Sequence, residues 1–183
     1  MRVIAGSARS IRLVTPEGLD TRPTQDRIKE TLFNMIQFEV SDCVFVDLFA
    51  GSGGIGIEAL SRGARKAYFV DNNATALSCI KENLNKTKLM DKAQIFSQDC
   101  LAFLNTLKER VDFIFMDPPY NNEHEKRALA ILKDSKAVTD ATTIIVEASL
   151  ETDFDYVEEY GFEIIKQKRY KTNQHVFLRR IEA

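Results

Sequence analysis

The segment Val46-Asp47-Leu48-Phe49-Ala50-Gly51-Ser52-Gly53-Gly54-Ile55-Gly56 limits the possible folds more than any other part of this chain. The run Cys43–Asp47 before it is dense in Val and Phe and reads as a buried strand. Glycines follow at once, and then a helical pattern near 54–62. A strand that breaks at glycines and re-enters as a helix opens a βα unit, with its backbone exposed to an approaching ligand. The first amides of such a helix have no helical carbonyl to bind and face that ligand instead. Asp71 ends the next apolar run, 20 residues beyond Gly51, where a carboxylate accepts hydrogen bonds from ribose hydroxyls. Asp99 follows the third run, placed to reach the edge of an adenine.

The alternation continues along the chain. Strand-like runs fall at Cys43–Asp47, Ala67–Asp71, Ala93–Phe96, Val111–Asp117 and Thr143–Glu147, with helical stretches near 54–62, 73–87, 99–109 and 122–134. Ahead of them, Thr24 is placed to cap a helix to about Phe38 that aligns Ile28, Leu32, Phe33 and Ile36. The tail, Phe162–Tyr170 then His175–Arg180, reads as two antiparallel strands around Lys171–Asn173. This pattern predicts a doubly wound α/β fold with a mostly parallel sheet. The amino-terminal stretch alternates around Gly6 to Ser10 and predicts a β-hairpin, so the expected division is 1–23 as a hairpin extension and 24–183 as the main domain.

Composition excludes several classes. With 183 residues, 44% hydrophobic and 28% charged, the chain can bury one core without metal or disulfides. The longest apolar run, Ala128–Leu132, falls far short of the ~20 residues of a membrane span. Cys43, Cys79 and Cys100 form no CxxC and read as buried thiols of a cytoplasmic protein. With only His124 and His175, a zinc site would need an unusual ligand set, and no metal is expected. A net charge of −2 argues against a uniformly basic coat, yet charge is segregated. Lys166 to Arg180 carries six basic residues and no acid, while Glu147 to Glu159 carries six acids and no base. With Arg2, Arg9, Arg12 and Arg22, the tail would form a basic surface for a polyanion if the two ends meet.

Gly51, Gly53 and Gly56 satisfy GxGxxG, so a nicotinamide dinucleotide is one possible ligand and an oxidoreductase one possible function. Two features favour S-adenosylmethionine. Asp47 before the loop would repel a pyrophosphate but can help to hold an ammonium group. The fourth strand then runs into Asp117-Pro118-Pro119-Tyr120, a corner rigid at two prolines. In an open α/β sheet this corner faces the same crevice as the glycine loop. An exocyclic amine on a planar base is a poor nucleophile, because its lone pair is delocalised into the ring. The Asp117 carboxylate and the Pro118 carbonyl can each accept one N–H, aiming that lone pair at a sulfonium methyl, while Tyr120 stacks on the ring.

The ordered set of Asp47–Gly56, Asp71, Asp99 and Asp117–Tyr120 resembles the class I S-adenosylmethionine-dependent methyltransferases. More narrowly, the chain resembles the RsmD-type family of small-subunit ribosomal RNA guanine-N(2)-methyltransferases. That resemblance rests on Arg2-Val3-Ile4-Ala5-Gly6, on Arg22-Pro23-Thr24-Gln25-Asp26-Arg27 leading into Glu30-Thr31-Leu32-Phe33-Asn34, and on Asp47–Gly53 followed by Glu58-Ala59-Leu60-Ser61-Arg62-Gly63-Ala64. It implies a Rossmann-like sheet of seven strands, a hairpin touching RNA, and methylation of a guanine amine in small-subunit rRNA within the assembled or assembling subunit. It further implies that Asp117, Pro118, Pro119 and Tyr120 are catalytic. The cofactor residues would be Asp47, Phe49, Ala50, Gly51, Ser52, Gly53, Asp71, Asn72, Asp99 and Cys100, and Arg9, Arg12, Arg22 and Arg27 would face RNA. An adenine-amine methyltransferase on RNA or DNA and a non-catalytic RNA-binding factor remain alternatives. A release-factor glutamine methyltransferase fits less well, since that group typically carries Asn where Asp117 stands. Only about 22 residues separate Tyr120 from the next strand, too few for a separate DNA-reading domain, so a structured RNA read by shape is the expected substrate.

Overall fold

The apolar runs assemble into one sheet in the computed structural model, which describes residues 1–16, 23–120 and 123–182. Five strands are parallel: β1 (Val44–Leu48), β2 (Lys66–Asp71), β3 (Ala93–Ser97), β4 (Phe113–Met116) and β5 (Thr143–Ser149). The tail supplies β6 (Phe162–Arg169) and β7 (Asn173–Arg180), with β7 antiparallel to both β5 and β6. The order is β3-β2-β1-β4-β5-β7-β6, so the chain reverses direction across the sheet between β1 and β4. Reversal points are where open α/β sheets bind ligands.

Among the described residues, five α-helices cover the two faces: α1 (Pro23–Ile36), α2 (Gly54–Ser61), α3 (Ala74–Thr87), α4 (Cys100–Thr106) and α5 (His124–Leu132). Alternation along β1 divides the core between them. Val44, Val46 and Leu48 join the layer of Phe103, Leu104, Leu129 and Leu132 from α4 and α5. Phe45 points the other way, to Leu32, Phe33, Ile57, Leu60, Ile80 and Leu84 from α1, α2 and α3. Helix α1 begins at Pro23, one residue before the expected cap, because proline's fixed φ and missing N–H suit the first helical position. Helix α2 lies hard against β2: a Cβ at Gly56 would come within 2.4 Å of the Phe69 ring.

The amino-terminal segment departs from the expected hairpin. It turns back on itself, and its arms are tied by an antiparallel bridge between Arg2 and Arg12 and by bonds from Val3 N–H to Ile11 O, Ser10 N–H to Val3 O and Leu13 N–H to Met1 O, without forming two regular strands. The backbone groups at the tip of the turn bond to α2. The Glu58 carboxylate accepts Ile4 N–H and Ala5 N–H at 2.9 and 3.1 Å. Ser61 Oγ accepts Ala8 N–H at 3.0 Å and donates to Ala5 O at 2.6 Å. Gly6, at φ +87°, sits so close that a Cβ there would lie 1.8 Å from Ser61 O. Val3, Ala8 and Leu13 are buried in the same layer as α1 and α2. Asn83, buried on α3, brackets Val14 through its N–H and its carbonyl and also donates to Ser52 O.

Glu58 is fully buried and also meets Lys29 Nζ at 3.2 Å and Arg62 Nε at 2.8 Å. Lys29, 2% exposed, donates to Arg2 O at 2.6 Å, and burial lowers its pKa against the pull of Glu58. One carboxylate therefore ties α1, α2 and the amino-terminal turn together. Removing its charge leaves a cation buried beside an amide. Glu58→Gln is expected to lower the free energy of unfolding by about 3–5 kcal/mol in a urea titration; a loss below about 0.5 kcal/mol, typical of a surface change, would refute this account.

Candidate functional site

Buried β1 delivers the glycine loop to the carboxyl edge of the sheet. Asp47, 1% exposed, accepts the Gly56 N–H at 2.9 Å and so pins the start of α2 from beneath. Burial pushes its carboxyl well above the ordinary range, with Asp117 and Asp71 adding to the rise and the Gly56 N–H opposing it. Phe49, Gly51 and Gly53 take left-handed conformations at φ 56°, 58° and 82°. Above Gly51 the space is open, since nothing lies within 4 Å of where its Cβ would be. Asp71, at the end of β2, accepts the Gly51 N–H and the Asn73 N–H at 2.9 Å each, one through each oxygen. Each oxygen keeps a lone pair for a further donor.

Ala50 N–H bonds to Val70 O at 3.0 Å, joining the loop to β2. Asn72 is exposed beside Asp71. Asp99 is exposed and caps α4 through the Ala102 N–H. Cys100 is buried, and its sulfur accepts the Phe49 N–H at 3.3 Å. The loop, Asp71, Asn72, Asp99 and Cys100 thus gather at one end of β1, β2 and β3. Phe49 packs edge-on against His124 at the start of α5, with ring centroids 5.5 Å apart.

Asp117–Tyr120 leaves β4 at the same end of the sheet. Pro118 is buried, Pro119 exposed and Tyr120 half-exposed. Behind Asp117 stands a group of residues unnoticed in the sequence. The Asp117 and Glu147 carboxyls are hydrogen-bonded, and burial together with the facing carboxylate raises Asp117 above the ordinary range. Burial likewise raises Glu147. Glu147 Oε1 lies 2.6 Å from His175 Nε2, and His175 Nδ1 lies 3.2 Å from the Tyr170 hydroxyl. His175 is 1% exposed, and burial holds its pKa down at about 4, so the imidazole is neutral. These residues come from β5, β7 and the β6–β7 turn. Their one sequence signal is that Glu147 and His175 fall at facing ends of apolar runs, which the antiparallel register makes partners.

Among the arginines expected at an RNA, Arg9, Arg12 and Arg27 are exposed, and Arg22 lies outside the described residues. The amino-terminal helix and the tail do meet. A cavity of about 210 Å³ is lined by Arg27, Ile28 and Thr31 of α1 and by Tyr170, Lys171, Thr172 and Asn173. Not every basic residue of the tail is free to face a ligand. Arg180 donates to the carbonyls of Leu132, Ser135 and Val138, closing the end of α5. Arg179 lines a larger cavity, about 410 Å³, with Asp112 and Asp140. That cavity sits at the amino ends of β4 and β5, away from the glycine loop and from the edge where α/β sheets bind ligands.

A sheet of this order, with a glycine loop after β1 and an acid at the end of β2, defines a class I methyltransferase. S-adenosylmethionine is the cofactor of that class. The open space over Gly51 and the free lone pairs of Asp71 fit it. The chain belongs to the RsmD family, whose model, described as Conserved hypothetical protein 95, matches residues 1–179. It is 34% identical to Ribosomal RNA small subunit methyltransferase D of Haemophilus influenzae over 92% of this chain and 88% of the relative. The protein of the same name in Escherichia coli K12 is 32% identical over 82% of this chain and 76% of its own length. The solved structure of Escherichia coli yhhF superposes with a TM-score of 0.87 at 30% identity, covering 99% of this chain and 98% of that one.

Cys43, Cys79 and Cys100 are unpaired and buried, and burial pushes the Cys43 and Cys100 thiols up to about 12. Neither offers a thiolate near neutrality. The native protein is therefore expected to react slowly with a thiol–disulfide exchange reagent at mildly alkaline pH, and all three thiols to react once guanidinium unfolds it. A fast-reacting Cys100 in the folded protein would show that the wall behind Phe49 is open.

Proposed function

We propose that this protein methylates the exocyclic N(2) amine of a guanine in small-subunit ribosomal RNA. The observation that carries this reading is that the Asp117-Pro118-Pro119-Tyr120 corner leaves β4 directly beside the end of β1, where the glycine loop begins. The relatives from Haemophilus influenzae and Escherichia coli, named as small-subunit ribosomal RNA methyltransferases, support the class of substrate.

The bound cofactor would supply a methyl already activated on a sulfonium. The chain's task is then to hold and aim the nucleophile. Asp117 and the Pro118 carbonyl each take one amine hydrogen, which turns the nitrogen away from conjugation with the ring. Tyr120, half in solvent, is free to stack on the base. Asp71 would hold the ribose hydroxyls, and the Gly51–Gly53 backbone would lie along the cofactor, with Asp99 toward its adenine. Arg9, Arg12 and Arg27 would bind phosphates, positioning the RNA while its shape supplies selectivity. The target base must leave its stack to reach the corner, which costs a few kcal/mol and least in a loop.

Two substitutions separate these roles. Asp117→Ala is expected to lower the rate of labelled methyl transfer to small subunits by about 100–1,000-fold and to leave cofactor affinity near wild type. Asp71→Ala is expected to weaken cofactor binding by about tenfold or more in calorimetry, by losing charged hydrogen bonds and releasing the Gly51 amide. If Asp117→Ala lost affinity for the cofactor alone, the corner would belong to the cofactor site and the reading would fall.

A further inference from the structure

The hydrogen bonds behind the corner admit a single polarity that runs toward Asp117. His175 is buried and neutral, so its ring carries one N–H. If Tyr170 O–H donates to Nδ1, that hydrogen sits on Nε2 and donates to Glu147 Oε1. Oε1 is then an acceptor toward His175, and the same carboxyl is hydrogen-bonded to Asp117, its neighbour across the β4–β5 register. Two carboxylates cannot hydrogen-bond without a proton between them, and like charges at such contact do not both ionise. Placed on Glu147, that proton makes every donor point toward Asp117. The partly buried Glu147 and the buried His175 then carry no charge, and the negative charge rests on Asp117, which is exposed to solvent. Placed on Asp117, it would leave a carboxylate in the interior and a donor where the amine also donates.

We propose that Glu147 is a positioning residue for methyl transfer. It donates to Asp117 and is itself fixed by His175 and Tyr170. It therefore holds Asp117 as an oriented anion with one oxygen free for the amine. In the reaction the N–CH₃ bond forms as the S–CH₃ bond breaks, and the electron pair of that bond stays on sulfur. The amine proton passes to the free oxygen of Asp117 and leaves from its open edge to water. The Glu147 proton is not consumed. Among the described residues, the other titratable groups that act on or feel this pair are Asp47 on β1, Tyr120 at the corner, His175 on β7 and Tyr170 after β6.

This inference rests on the proposed methyl transfer for its rate measurements but not for its titration. Glu147→Gln keeps both hydrogen bonds: its carbonyl accepts from His175 and its amide donates to Asp117. Its kcat at neutral pH is expected to stay close to wild type. Wild-type kcat should fall at alkaline pH as Glu147 ionises against Asp117, and in Glu147→Gln that fall should vanish. Glu147→Leu, which leaves Asp117 unheld, is expected to lower kcat about 100-fold with cofactor affinity unchanged. Tyr170→Phe, a milder change at a partly exposed residue, should lower kcat by less and shift the alkaline limb. A Gln variant as inactive as the Leu variant, or one with the wild-type pH profile, would overturn the proposal. Carbon-13 NMR of the Glu147 carboxyl reads the same proton without turnover. Ionisation at an ordinary glutamate pH would overturn it, whereas absence of wild-type methyl transfer would instead sink the functional reading.

Discussion

A single carboxylate, that of Glu58, sets how the parts of this protein meet. It lies wholly inside the molecule and takes two backbone N–H groups, a lysine and an arginine. A buried charge is tolerable when each of its acceptor sites is filled, and costly once any partner is missing. Filling them requires the amino-terminal turn, α1 and α2 to arrive together. That arrangement fixes where the exposed Arg9, Arg12 and Arg27 lie relative to the crevice, although none of them touches Glu58. The Arg62 guanidinium, 5.1 Å from the centre of the Phe33 ring, adds an aromatic contact to the same joint.

The sheet supplies the other half of the account. Reversal of strand order between β1 and β4 places two polar strand ends side by side, each on a fully buried strand. Asp71 gives one oxygen to the Gly51 amide and Asp47 one to the Gly56 amide of α2, so the shape of the loop between them is built before any ligand arrives. The antiparallel return of β7 then sets His175 opposite Glu147, one strand over from Asp117. The corner that would hold a base is backed by three strands instead of one.

Most of this architecture is legible in the sequence, since the parallel strands are continuous apolar runs and the loop between β1 and α2 is marked by glycine. What escapes a linear reading is pairing across long separations. Alternation around Gly6 looks like two strands, yet Ile4, Ala5 and Ala8 find partners more than 50 residues away on α2. Glu147 reads as the last residue of a strand or the first of an acidic run, and only the register with β7 shows what it meets, 28 residues on. Arg180 counts toward a basic surface in the sequence, but its guanidinium is taken by three carbonyls. The acids after the strands are visible as site residues, whereas the structure shows how fully Asp47 and Asp99 also serve the backbone around them.

The central claim is that the Asp117 corner presents a guanine amine of small-subunit RNA for methylation. It is tested most directly by incubating the protein with labelled S-adenosylmethionine and small ribosomal subunits that lack its modification, then digesting the RNA to nucleosides for mass spectrometry. The account predicts label in N(2)-methylguanosine and in no other nucleoside. Label in a methyladenosine would contradict the choice of base, and subunits left unlabelled by a protein that binds the cofactor would contradict the function.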